Sequence, residues 1–408
     1  MSDLYIQRRG SPTVICLLSF ALTACGGDGG VVTDTAQTPE VQAPAANTAS
    51  AAGTLTPVLA PAISGPVVTA ANCSASAVQS AVNSVSSGGS VNIPAGNCSW
   101  GTQQVNVPGG VYLKGAGKTA TTIRRVGNVS NSNYLIAFNC SNGKRVAVSD
   151  MTFVGNANAS IQDNGLGLLN GCVDFTVFNS KFTAFTFSGL YVGAKEGQRG
   201  VIYKNDFINN YAPALRNLGY GIVVYGGGTW PALSLGSQFA VFAEDNYFSG
   251  NRHNIASNNG SRYVFRHNVV IATDPVKDYA MTDAHGKSSS PRGSRSWEIY
   301  NNQYSANLPA GGMERAAIGI RGGDGVAFNN TMTSNIKRPI ELTNDPSCGT
   351  YPMVDQIRSA YFWNNSTNGF PGGISNSCTG SLQLGRDFFT TSKPGYVPYT
   401  YPHPLRAS

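Results

Sequence analysis

The sequence has little charge. Asp, Glu, Lys and Arg make up 12% of its 408 residues, and there are only four histidines. No Cys-x-x-Cys pair occurs, and with so few histidines this leaves no zinc-ligating pattern. No glycine-rich phosphate loop, nucleophile elbow or dinucleotide fingerprint stands in a workable context. Gly115-Ala116-Gly117-Lys118-Thr119 lacks the first glycine of a phosphate loop. No apolar run is long enough to span a bilayer comfortably: Val14 to Leu22 is too short for an anchor helix. What the chain does have is 48 glycines, recurrent Asn, and plentiful Val, Phe and Tyr, a composition that points to β-structure with many tight bends.

The short apolar run follows Arg8 and Arg9 and leads into Leu22-Thr23-Ala24-Cys25-Gly26. A basic n-region, a short h-region and small residues before a Cys resemble the bacterial lipobox, which implies cleavage after residue 24 and acylation of Cys25. No acidic residue directly follows Cys25, which implies sorting to the outer membrane. Losing Arg8, Arg9 and Asp3 lowers the formal net charge from +7 to +6. That excess favours polyanionic partners. Six cysteines remain: Cys73, Cys98, Cys140, Cys172, Cys348 and Cys378. An even count in an exported chain argues for disulfides, and locality groups them as 73–98, 140–172 and 348–378.

Three parts follow: a leader over 1–24, a lipidated Cys25 with an Ala/Pro/Thr-rich tether over 25–69, and a folded domain over 70–408. The domain opens with Val78, Ala81, Val82 and Val85 at helical spacing between Ser74 and Gly88-Gly89. Short strands broken by Gly and Pro come next, at Val91, Val105 and Val111.

A motif then recurs, with two apolar-rich positions followed by an Asn corner and an aromatic. Its corner residue is Ser180, Asn205, Asn246, Asn268, Asn302, Asn330 and Asn365, at intervals of 25, 41, 22, 34, 28 and 35. A constant core with variable loops is solenoid behaviour. In stacked coils about 4.8 Å apart, equivalent side chains lie over one another. Asn suits such a corner because it tolerates left-handed backbone angles and its amides can form a ladder. The pattern therefore predicts an all-β parallel β-helix.

The opening helix, "GGSVNIPAGNCSW", "VNVPGGVYLKGAGKTATTI" and the Asn column together resemble the pectate-lyase-like right-handed parallel β-helix proteins. The resemblance implies that the short helix caps the first coil. The Pro/Tyr-rich tail from Lys393 to Leu405 resembles the closing segment of bacterial β-helix polysaccharide lyases, expected to run extended along the helix with His403 as a packing residue. The function implied is a surface-anchored lyase that cleaves a uronate-containing glycan by β-elimination. The alternative is a non-catalytic glycan-binding or adhesion protein of the envelope. An acidic polysaccharide and, through Cys25, a membrane are the expected partners. Nucleic acid is not.

Two places before each corner lies a column expected to face outward: Phe178, Tyr203, Glu244, Arg266, Tyr300, Phe328 and Trp363. Aromatics flanking a charged centre would suit a sugar chain, with Tyr203, Tyr300 and Glu244 as binders. Beside the centre stand Asp245 and His267. The densest ionic stretch, Arg252 to Arg295, ends in Asp283-Ala284-His285-Gly286-Lys287 and the pair Arg292 and Arg295 before Ile299-Tyr300-Asn301-Asn302. In the pectate-lyase-like family an Arg-bearing loop at this place supplies the base, but the family's Arg-x-Pro-x-x-Arg spacing is absent here, with Ser289 where the first Arg belongs.

A uronate lyase needs a group to neutralise the carboxylate, a base for the C5 proton and an acid for the leaving oxygen. The expected base is His285 or Arg295, the acid His267, and the carboxylate binders Arg266, Arg292 and Lys287. Glu244, Asp245 and Asp283 are candidate ligands for Ca²⁺. Hydrolysis would need paired carboxylates. The Asn-Thr-Asp and Asp-Asp motifs of β-helix polygalacturonases are missing, which ranks hydrolase below lyase.

Overall fold

The computed structural model describes residues 61–407 apart from 130–132, 159, 161, 194, 213, 216, 217, 274–279, 309–313, 334 and 368–372. The leader, Cys25 and the tether as far as residue 60 lie outside the described residues, as do Asp274, Lys277 and Asp278. Among the described residues, the strands form three sheets of twelve, nine and ten, and the strands within each sheet pair in parallel. Each turn of chain visits the three sheets in order: Gly200–Tyr203 in the twelve-stranded sheet, Asp206–Ile208 in the nine-stranded and Tyr220–Tyr225 in the ten-stranded. The fold is a parallel β-helix.

The register is that of stacked coils. Val177, Ile202, Ala243, Phe265, Ile299, Ala327 and Phe362 pair in a single file and all enter the core. Phe153, Phe182, Phe207 and Phe248 stack inside the nine-stranded sheet at 4.6 to 5.0 Å between ring centroids.

The corner asparagines form the expected ladder. The Asn205, Asn246, Asn268, Asn302 and Asn330 backbone N–H groups donate to the Oδ1 of the next corner at 2.9 to 3.1 Å. Their Nδ2 groups reach back to core carbonyls on the preceding coil, as Asn268 does to Ala243 at 3.0 Å. One expectation needs correction. The left-handed residue is not the ladder Asn but the one before it: Asn179, Lys204, Asp245, His267, Asn301, Asn329 and Asn364 all have φ between 45° and 57°. The bend is made at that position, and it turns the next side chain inward to be paired.

The helix spans Ala75–Ser84, with Ser74 as N-cap accepting from Ala77 N–H at 3.3 Å, and its Val78, Ala81 and Val82 join the core. The folded part starts earlier than the composition suggests. Val67–Thr69 is already a strand, paired with Ser90, Val91 and Asn92, so the tether does not extend to residue 69. The three disulfides are Cys73–Cys98, Cys140–Cys172 and Cys348–Cys378.

Candidate functional site

On the ten-stranded sheet the side-chain alternation sends Leu190, Ile222, Ile255, Thr282 and Ile318 inward, and Tyr191, Val223, Ala256, Asp283 and Gly319 outward, all in register. Two places beyond the outward column come Tyr225, Asn258, His285 and Arg321, each at the strand end of its own coil. This alternation places Asp283 and His285 on one face, with Arg321 on the neighbouring coil beside them.

The three make a compact ionic cluster. Arg321 holds Asp283 with two parallel bonds, Nε to Oδ1 at 3.0 Å and Nη2 to Oδ2 at 2.7 Å, and reaches Asp345 Oδ1 with Nη1 at 3.2 Å. His285 Nε2 contacts Arg321 Nη2 and lies 3.2 Å from Asp283 Oδ2. Its Nδ1 lies 3.2 Å from Asp345 Oδ2, at ion-pair distance but without hydrogen-bond alignment. Burial alone would raise the Asp283 carboxyl, but Arg321, His285 and His253 outweigh it and hold it far below the usual range.

His253 lies on the adjacent coil, with Nε2 4.0 Å from Asp283 Oδ2. Burial pushes it down to about 3, so its ring is neutral, and the 2.5 Å contact with the Ala280 carbonyl assigns the proton to Nδ1.

Aromatic rings continue the face toward earlier coils. Tyr191 lies 5.9 Å from Tyr134 and 5.7 Å from Tyr225, and Tyr220 stacks on His253 at 5.6 Å. Glycine makes room for this: a side chain at Gly167 would run into the Tyr134 ring, and one at Gly193 into Tyr191. Burial raises Tyr134 to about 12 and raises Tyr191 and Tyr225 further, so these hydroxyls stay protonated. Arg252 sits 5.2 Å over the Tyr220 ring and donates to its hydroxyl. The face thus offers a partly exposed histidine and arginine beside a group of protonated tyrosines.

The expected residues do not form one site. Those of the twelve-stranded sheet are roofed by the tail. Arg266 is fully buried. It donates to Glu244 at 2.7 Å, the Tyr300 hydroxyl at 2.9 Å, and the carbonyls of Tyr399 and Thr400 at 2.6 and 2.8 Å. Glu244 also accepts from His403 N–H at 3.0 Å and Arg406 at 2.9 Å. Tyr203, Tyr300 and Phe328 pack with Leu405 beneath the same segment. The outward column therefore faces protein rather than a sugar chain, which corrects the expected groove. His267 lies flat on Tyr401 at 3.7 Å, and burial lowers its pKa. His403 is buried against Phe242.

Arg292 and Arg295 occupy a second place, on the Trp230 ring at 4.5 and 4.9 Å. Arg292 is paired with Asp355 and Arg295 with Asp324. Arg295 also donates to the Pro231 carbonyl at 2.6 Å. Both arginines are committed to holding turns together, which removes Arg295 as base and Arg292 as carboxylate binder. Lys287 Nζ contacts the Ser288 carbonyl at 3.4 Å.

The calcium expectation does not fit. Glu244 and Asp245 are neutralised by Arg406, while Asp283 belongs to another sheet and is neutralised by Arg321. Among the described residues, no three His, Cys, Asp or Glu side chains are placed to hold a metal.

Only Asp283 and His285 of the expected set lie in the cluster. Arg321, Asp345, His253, Tyr191, Tyr220 and Tyr225 were missed. Their signal is a second column: Val223-Val224-Tyr225, Ala256-Ser257-Asn258, Asp283-Ala284-His285 and Gly319-Ile320-Arg321 align once the strand preceding each long turn is used as the reference.

No protein-family model and no curated protein matches the sequence. Solved structures of similar shape include the A-module of a mannuronan C-5 epimerase from Azotobacter vinelandii, at 14% identity and TM-score 0.39, covering 78% of this chain and 95% of that one. An alginate lyase from Paenibacillus sp. is 12% identical at TM-score 0.37, covering 79% of this chain and 98% of that one. The catalytic unit of an α-1,3-glucanase from Streptomyces thermodiastaticus is 14% identical at TM-score 0.42, covering 84% and 70%. Likeness at this level carries no argument about chemistry, and the fold itself is read from the strand register.

Proposed function

We propose that the protein binds an acidic polysaccharide along the outward face of the ten-stranded sheet and cleaves it by β-elimination at the Asp283–His285–Arg321 cluster. The observation that carries this reading is the union, on one face, of a partly exposed histidine held between two carboxylates and the rings of Tyr191, Tyr220 and Tyr225 on two neighbouring coils. Sugar rings stack on aromatic faces, and these rings would supply such a platform.

In this reading His285 takes the C5 proton of a uronate. The released electron pair forms the C4–C5 double bond, the C4–O bond breaks, and the departing oxygen takes a proton from water. In this reading Arg321, the cation of the cluster, faces the substrate carboxylate and makes C5 more acidic. The coil is right-handed, as parallel crossovers are in ≈98% of cases. The helix closes its first end, and a lipid on Cys25 ties it to the cell envelope, at the outer membrane.

A second reading, glycan binding without cleavage, draws on one observation: Arg321 is already saturated by Asp283 and Asp345. The experiment separates the two. Incubate the protein with a panel of uronate polymers and follow ultraviolet absorbance from unsaturated product. Cleavage lost in His285→Ala and kept in Arg295→Ala supports the lyase. Polymer retention without absorbance on any substrate supports the binder.

A further inference from the structure

A cavity of about 260 Å³ opens at the turns that leave the ten-stranded sheet, one corner away from the cluster. Its lining comes from three successive coils: Lys195 to Gln198, then Gly226, Thr229 and Pro231, then Gly260 to Arg262, together with Phe239. We infer that this cavity is a binding site for a single carboxylate-bearing sugar ring, distinct from the cluster on the sheet face.

Its polar lining is built but unspent. Among the described residues, Gln198 Nε2, Ser261 Oγ and Arg262 Nε are buried without a hydrogen-bond partner. Gln198 is 9% exposed and Ser261 4%. Buried polar atoms are nearly always paired, and leaving one unpaired costs about 1–3 kcal/mol, so three around one cavity call for a ligand or ordered water.

Charge selects the ligand. Lys195 and Arg262 are cationic. Glu196, the one acid in the lining, spends Oε1 on the N–H groups of Gly227 and Thr229 at 2.9 and 3.0 Å, where it shapes the turn. Arg262 donates Nη2 to the Ala232 carbonyl at 3.1 Å, while its Nε is unpaired. Burial and the nearby Arg295 disfavour its charge, the Glu196 carboxylate offsets part of that cost, and a bound anion would relieve the rest.

Shape agrees. Phe239 is 40% exposed and adds an apolar ring to the lining, with Arg199 6.0 Å from its centroid. The volume is below the ~300–1,000 Å³ of drug-sized pockets, and fits one ring rather than an oligosaccharide. A ring with its apolar side on Phe239 would turn hydroxyls to Gln198 and Ser261 and a carboxylate to Lys195 and Arg262. The site does not depend on the β-elimination assignment, because a free uronate has no glycosidic bond to break.

Titration calorimetry of the full chain with D-glucuronate and with D-glucose at low salt is the test. The expected result is saturable glucuronate binding near ~1 mM, with glucose at least tenfold weaker. Lys195→Ala and Ser261→Ala each weaken glucuronate about fivefold or more without moving the unfolding midpoint. No saturation, equal affinity for glucose, or unaltered binding in both Lys195→Ala and Ser261→Ala overturns the site. Ultraviolet product formation is read separately, so failure here and failure of the lyase reading are told apart.

Discussion

The Tyr396 hydroxyl donates to Glu298 Oε2 at 2.5 Å across 98 residues of sequence, and this pair pins the start of the tail to the twelve-stranded sheet. The other oxygen of Glu298 accepts from Gly236 N–H at 2.9 Å. Burial nonetheless dominates and pushes the Glu298 carboxyl up to about 7, against the pull of Tyr396 and Gly236.

The first prediction follows from that shift. Between the unfolded value of 4.5 and about 7 the folded protein keeps a proton that the unfolded chain has released. Stability from this group is present at the acid side and is lost as pH rises through that window, by on the order of 3 kcal/mol in all. Urea unfolding at pH 5 and pH 8 should show a smaller difference in Glu298→Gln than in the unaltered protein.

Two histidines work in the opposite direction. His253 and His403 are both pushed down to about 3, chiefly by burial. The unfolded chain gains protons near 6.5 that the folded protein refuses, so stability is lost as pH falls from 6.5 toward 3. Each contributes a slope of up to about 1.4 kcal/mol per pH unit. His403→Gln should reduce the acid slope, measured from urea midpoints between pH 4 and 6.5, by about one proton. An unchanged slope would mean that His403 titrates normally.

The corner makes a position-by-position prediction. Asn268→Ala strips a partner from the Asn246 N–H and leaves the Ala243 carbonyl short of its 3.0 Å bond. Denaturant unfolding should register a loss of about 2–4 kcal/mol. At the preceding left-handed position, with φ of 55° at Lys204, Lys204→Gly should be neutral or stabilising and Lys204→Val destabilising.

Glu244→Ala should be among the most damaging single changes, at about 3–5 kcal/mol. It leaves the Arg266 guanidinium buried without its carboxylate and deprives the tail of the bonds from His403 and Arg406. Loss of stability with retention of parallel β-structure by circular dichroism would place the defect in the tail rather than in the coils.

The coils were legible because stacking forces equivalent residues into register, so Val177 through Phe362 and the Asn corners repeat however long the loops between them. The disulfides were legible because each joins cysteines 25 to 32 residues apart, near one coil's length. The site was not. Period-two alternation says that Glu244 and Arg266 point out of the sheet, but it cannot say whether water or another segment lies beyond. Here Tyr399, Thr400 and Arg406 do, from more than 130 residues away. Arg321 is not legible from the Asn corner, because long turns of unequal length separate that corner from the strand end where Arg321 sits.

The segment that roofs Glu244 and Arg266 follows every coil in the chain. As the polypeptide is synthesised, the coils bearing this ion pair are made well before the residues that shelter it. A nascent or truncated chain lacking its last dozen residues would present a strip of Tyr203, Phe242, Tyr300 and Phe328 to solvent. Such a strip is the exposed apolar surface that chaperones and proteases act on.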